Sequence, residues 1–302
     1  MTRRFFRIIA LAWAAFTLPA LAGCAGLQDA PAQAAAPPPG PALWKVADED
    51  TTIYLFGTIH ALPKNVEWYQ PHIAQALESS DELVTEVDTA DVQELTGLLL
   101  QKAILPKGEN LRDKLGEDER KAYEEAMVSI GLPVQTFDRF KPWYAAMNFS
   151  LIPLLNAGYD TDSGVESVLD KKLGPDKKHD HLETAEFQLG LFDSLPPETQ
   201  LTYLKEVITA VPQLTGQLNT MVDEWLRGDA EALAREMNAQ ETDPIVYQRL
   251  ITDRNASWAG WIKERMERPG TVFIAVGAGH LAGKGSVLEQ LRKLHLKSAR
   301  VR

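Results

Sequence analysis

His60, Glu86 and His280 are the side chains in this sequence best suited to do chemistry together. Thr51–His60 reads TTIYLFGTIH and Thr271–His280 reads TVFIAVGAGH, so each stretch is an apolar, β-favouring run that stops at glycine and reaches histidine three residues later. A third run, Glu82–Val87 (ELVTEV), carries Glu86 near its C-terminal end, where a buried carboxylate is costly unless paired or metal-bound. Two imidazoles and one carboxylate suit a divalent ion such as Zn, Mn, Co or Fe, with positions left for water. Such an ion lowers the pKa of bound water and supplies a nucleophile. Without an ion the same trio can do general acid–base work, with Glu86 orienting or assisting His60.

The elements that must position these residues follow from the patterning. Short continuous apolar runs closed by glycine predict strands buried on both faces, as in a parallel sheet. In such sheets ligands gather where strands end and loops lead into helices. The expected fold is therefore α/β: a mainly parallel sheet built from both ends of the domain, with a large helical insertion between them. Helices are predicted over Asn65–Ser80, Asp118–Ile130, Asp138–Leu155 and Ser163–Leu173. More follow from Pro196-Pro197 to about Leu214, then at Thr215–Leu226, Asp229–Met237, Pro244–Glu267 and Ser286–Leu296. Lys178–Glu183 reads as a short strand and Ala299–Arg302 as a final edge strand.

Other histidines compete. His179, His181 and Glu183 alternate along a strand and share a face, which could hold an ion by itself, although the Asp176–Asp180 lead-in is charged. His72 and His295 fall on predicted helices among polar neighbours and read as surface residues. Asp160-Thr161-Asp162-Ser163-Gly164 hints at a calcium loop, but its glycine comes a position early and no glutamate closes it.

The ends of the chain point to the cell envelope. Residues 1–23 begin with Arg3, Arg4 and Arg7, run apolar from Ile8 to about Leu18 and finish in small residues, which is the pattern of an export signal. Leu21-Ala22-Gly23-Cys24 resembles the bacterial lipobox, making Cys24 the expected lipidation site. Thr2–Arg7 (TRRFFR) also looks like a twin-arginine motif. Residues 24–42, rich in Ala and Pro, read as a tether to a domain spanning 43–302. Ala25 after the cysteine, by resemblance to Gram-negative lipoproteins, favours the outer membrane, with the domain facing the periplasm. Cys24 is the chain's one cysteine, so no internal disulfide or Cys-based metal cage is possible. The net charge is −11 and falls to about −14 without the signal's arginines, which argues against nucleic acid or an anionic bilayer as the main partner.

Beyond LFGTIH and AVGAGHLAG, the chain carries LVTEVD around Glu86, KPW at Lys141–Trp143, LETAEFQ at Leu182–Gln188 and RNASW at Arg254–Trp258. Together these resemble the TraB/GumN family, related to the Tiki metalloproteases and more remotely to erythromycin-esterase-like and ChaN-like proteins. The resemblance runs from about Leu43 to the C-terminus and departs at Leu296-Lys297, where a Gly-Tyr pair is usual. It implies one site made of His60, Glu86 and His280, holding Mn, Co or Zn. Arg254, Asn255 and Glu183 match further polar positions and are expected to contact substrate. The expectation is a metal-dependent hydrolase, most plausibly a peptidase acting on a peptide or small molecule; the alternative is a lipoprotein that sequesters such a ligand without turnover.

Overall fold

The computed structural model describes residues 40–88, 92–238 and 244–301; the signal segment, Cys24 and most of the tether lie outside them. The chain opens with β1 (Leu43–Ala47), β2 (Thr51–Thr58), α1 (Pro71–Ser79) and β3 (Glu82–Val87). Then come α2 (Val92–Ala103), α3 (Glu117–Ser129), α4 (Pro142–Asn156), α5 (Val165–Lys172) and β4 (Lys178–Glu183). After α6 (Ala185–Asp193), α7 (Pro197–Leu226) and α8 (Ala230–Asn238), a short α9 (Pro244–Tyr247) passes through a π turn (Gln248–Thr252) into α10 (Asp253–Arg265). The chain closes with β5 (Gly270–Gly277), a 3-10 turn (Ala278–His280), α11 (Val287–Lys293) and β6 (Ser298–Arg300).

The six strands form one sheet in the order β4-β3-β5-β2-β1-β6. The first four run parallel, while β1 pairs antiparallel with both β2 and β6. β5 lies between β2 and β3, which explains its uninterrupted apolar sequence: Val272 to Val276 are all buried. Alternation divides the sheet's side chains cleanly. Phe56, Leu83, Phe273 and Ala275 pack under α1, α5 and the end of α7, with Trp68 stacked on Phe56 and Trp225 tilted against it. Ile53, Leu55, Val84, Val272 and Ile274 pack under α10 and α11. A separate core joins α3, α4 and the first half of α7, which is the helical insertion.

Several expected boundaries move for physical reasons. The first helix starts at Pro71, not Asn65, because proline at the first helical position lacks the N–H that an interior position must donate. α4 likewise starts at Pro142 rather than Asp138. The two helices expected to meet at Leu214 and Thr215 are one continuous α7, since its buried face runs through Val207, Ala210, Leu214, Leu218 and Val222 past Pro212. His295 is not helical: it takes φ +63° in the turn after α11. β1 was not anticipated; it pairs with β2 through the short turn at Asp48, whose carboxylate accepts from the backbone N–H groups of Asp50 and Thr51.

Candidate functional site

Both G-x-x-H turns leave the same edge of the sheet, because β2 and β5 are parallel neighbours in a register that sets Gly57 opposite Val276 and Thr58 opposite Gly277. Glu86 comes from β3 on the other side of β5. Gly277 is the point where they meet. A Cβ added there would lie 3.2 Å from Glu86 Oε1, 3.5 Å from His280 Cδ2 and 3.9 Å from His60 Nε2. The glycine thus leaves open the space the three side chains share.

Each histidine is held through its Nδ1. His60 Nδ1 lies 2.6 Å from Glu166 Oε1, on α5, and Thr58 Oγ1 donates to the same carboxylate oxygen at 2.5 Å. His280 Nδ1 lies 2.7 Å from Asn255 Oδ1. Asn255 Nδ2 donates to the Gly285 carbonyl, so its oxygen must accept, the proton of His280 resides on Nδ1, and the Nε2 lone pair faces the site. His280 Nε2 stands 4.0 Å from Glu86 Oε1 and 3.2 Å from Arg254 Nη1. The ring also packs on Trp258, centroids 4.5 Å apart.

Glu86 is buried yet fully engaged. Its Oε1 accepts from the Gly277 N–H at 2.7 Å, and its Oε2 accepts from Arg254 Nη2 at 2.7 Å. Arg254 is in turn clamped by Glu183, through Nε at 2.9 Å and Nη2 at 2.8 Å. Trp258 Nε1 and Gln188 Nε2 donate to the Glu183 carboxylate as well. The π turn leads straight into α10, whose second and third residues are Arg254 and Asn255, and Arg254 Nη1 donates back to the turn's Leu250 carbonyl.

The environments push these groups apart. Burial pulls the His60 imidazole down, but Glu166 and Glu86 outweigh it and carry the pKa up to about 9. Burial, with Arg254 adjoining, takes His280 down to about 3, although Glu86 opposes the shift. Burial alone would raise Glu86; the neighbouring imidazoles, Arg254 and the Gly277 N–H instead hold it at about 2. One imidazole therefore carries charge and the other does not, beside an ionised carboxylate.

The donor chemistry fits a divalent ion. His280, with Nδ1 anchored on an amide oxygen, presents Nε2 as metal-binding histidines do, and His60, anchored on Glu166, would join it by giving up its Nε2 proton to an arriving ion. The 4.0 Å between His280 Nε2 and Glu86 Oε1 is wider than the ~3.3 Å between neighbouring tetrahedral ligands with bonds of roughly 2 Å, so the two side chains would draw together on an ion. Among the described residues no three His, Cys, Asp or Glu side chains are drawn into a finished cage, and an ion would have to take His280 Nε2 and Glu86 from Arg254.

The structure brings His60, Glu86 and His280 to one place and adds Glu166, which sequence reading missed. Its only signal was position, a glutamate in the first turn of a helix after glycine, where it reads as ordinary helix-end charge. Asn255 is completely buried with both amide ends engaged, so it positions His280 rather than reaching a substrate. Glu183 plays the same part toward Arg254. Arg254 itself lines the cleft. His179 and His181 share Thr85 Oγ1 and lie 4.6 Å apart, while Glu183 turns away to Arg254, so the three do not form the separate site their alternation allowed. His72, on α1, is half-buried rather than a surface residue.

The cleft beside the trio holds about 220 Å³ and its other walls are mostly apolar, including Phe192, Leu218, Met221, Leu233 and Ile251, with Gln188 and Arg254 among them. A mainly parallel α/β sheet with two G-x-x-H turns and a strand glutamate converging at one edge defines a distinct class of protein. The chain matches the TraB/PrgY/gumN family over residues 42–298 and belongs to it. It is similar to an uncharacterized protein of Treponema pallidum (strain Nichols), 25% identical over 270 residues covering 84% of this chain and 80% of that one. It is similarly related to the uncharacterized protein YbaP of Escherichia coli (strain K12), 25% identical over 243 residues covering 79% and 87% respectively. No solved structure matches it significantly.

Proposed function

We propose that this protein is a metal-dependent hydrolase of the cell envelope, acting on peptides. The observation that carries the reading is the paired anchoring of His60 and His280 through Nδ1 while both rings and Glu86 Oε1 border the space left open at Gly277. His60, Glu86 and His280 would hold the ion, with Mn, Co or Zn the candidates, and the ion would supply an activated water and polarise the carbonyl under attack. Glu166 holds the His60 ring and keeps the proton on Nδ1. Arg254, fixed by Glu183, would place a positive charge beside the carbonyl oxygen of the bond under attack, where negative charge develops. The apolar walls exclude water and receive an apolar side chain of the substrate.

A second reading has its own support. Arg254 already satisfies Glu86 Oε2 and approaches His280 Nε2, so both groups have a partner without an ion, as they would in a cleft that only binds its ligand. Metal analysis after loading with Mn, Co or Zn, joined to mass-spectrometric assay of a peptide library, separates the two. The hydrolase reading expects about one ion per chain and metal-dependent cleavage, both lost in His280→Ala. Ligand binding without retained ion or turnover would favour the second.

The envelope location rests on the Cys24 lipobox and the Ala/Pro tether. Among the described residues no helix is long and apolar enough to cross a membrane. Cys24→Ala is expected to move the domain from the membrane fraction to the soluble periplasmic fraction; retention in membranes would refute the anchor.

A further inference from the structure

A second, larger groove of about 840 Å³ runs beside the site. Five consecutive residues of the β4 region, Asp180 to Thr184, line it. Side chains on a strand alternate between faces, so a cavity touching every residue in turn lies along the strand's edge, not against one face. Among the described residues β4 is the last strand on that side and pairs with β3 alone. The Lys178 N–H points inward to the Asp81 carbonyl, so alternation turns the N–H groups of His179, His181 and Glu183 outward. The His181 N–H is met by the Asp180 carboxylate at 2.8 Å, an acceptor standing where a neighbouring strand would offer a carbonyl.

Charge selects the occupant. Arg254 in the groove is matched by Glu183. Asp88, Glu94, Asp180 and Asp253 then stand against Arg249, so the lining is acidic. Leu191 and Arg254 line both this groove and the cleft holding His60, Glu86 and His280, so the two adjoin.

We infer that the groove binds an extended, basic peptide segment as an added strand on β4, delivering an adjoining apolar residue into the cleft. The inference rests on the proposed peptidase reading only for what happens next; binding itself needs no ion. The test uses EDTA-treated protein and a short fluorescein-labelled peptide alternating lysine with valine and leucine, followed by anisotropy. Its glutamate counterpart and two versions N-methylated at alternate backbone amides, in opposite phase, are compared with it. The basic peptide is expected to bind and the acidic one not. The Glu94→Lys/Asp180→Lys double variant should weaken binding by about tenfold or more. One methylation phase should keep affinity while the other loses about tenfold, since only one set of amides faces β4. Amide exchange at His179, His181 and Glu183 should slow on binding. Failure of the basic peptide to bind, equal binding of the acidic one, or methylation effects independent of phase would each overturn the proposal. Metal-dependent cleavage that ignores charge and methylation phase would sink the groove and leave the hydrolase reading intact. Phase-dependent binding without cleavage would do the reverse.

Discussion

At the residue scale the site is a set of paired anchors, and its mutational behaviour follows from that. Glu166→Gln is expected to weaken Mn²⁺ binding by roughly ten- to a hundredfold while leaving the fold intact, because Glu166 acts through the orientation of His60. Calorimetric titration checks this; an unchanged affinity would mean that His60 needs no support. His60→Ala and His280→Ala should each abolish turnover, and the double variant should cost little more, since residues serving one ion are not additive. Away from the site, Arg112 forks onto Asp138 at 2.6 Å through both Nε and Nη2. These bonds hold the Asp138 carboxyl below its usual range, so the folded state binds that proton less readily than the unfolded one. The stabilisation is complete above the unfolded pKa of about 3.9 and is lost as pH falls through the lower folded value. Arg112→Met should therefore destabilise by on the order of 1–2 kcal/mol at neutral pH. That deficit in thermal midpoint should shrink in acid; a deficit constant with pH would show that packing, not the ion pair, is responsible.

At the element scale, one close approach sets the site. A Cβ on Gly164 would fall 1.9 Å from the His60 carbonyl oxygen, and the Val165 N–H donates to Ile59 at 3.0 Å. The start of α5 is thus pressed against the first G-x-x-H turn, which is how Glu166 reaches His60. Gly164→Ala is expected to push α5 away, costing on the order of 1–3 kcal/mol or more and lowering metal affinity together with thermal midpoint. Full affinity in a destabilised variant would separate the helix's packing from its part in the site. This contact also marks what the sequence could and could not show. The runs ending at Gly57 and Gly277 and the strand around Glu86 were legible because burial on both faces demands continuous apolar residues. The place of Glu166 was not, because it depends on backbone contact between segments more than a hundred positions apart. The continuity of α7 was hidden in the same way: Pro212 and Gly216 argue locally for a break, and only packing of Leu214, Leu218 and Val222 overrides them. β1 is half exposed and short, so its alternation was too brief to stand out.

At the scale of the whole molecule, both ends of the domain build one sheet and the insertion packs on itself and on the cleft. A chain ending at Pro269 loses β5, the shared partner of β2 and β3, and is expected to melt without a cooperative transition. Sharp two-state unfolding of that truncation would contradict the shared sheet. The same placement of β5 has a consequence in time. β2 and β3 are made early, yet they are not neighbours; each awaits the same late strand. Until β5 arrives, both present unpaired edges while the helices between them have their own core to collapse upon. Folding should therefore run from the middle outward, with the sheet closing last and slowly because its contacts join distant parts of the chain. A chain whose β5 has not yet docked would hold Glu86 and His60 but have neither His280 nor Gly277 beside them, so the trio comes together only when that last strand closes the sheet.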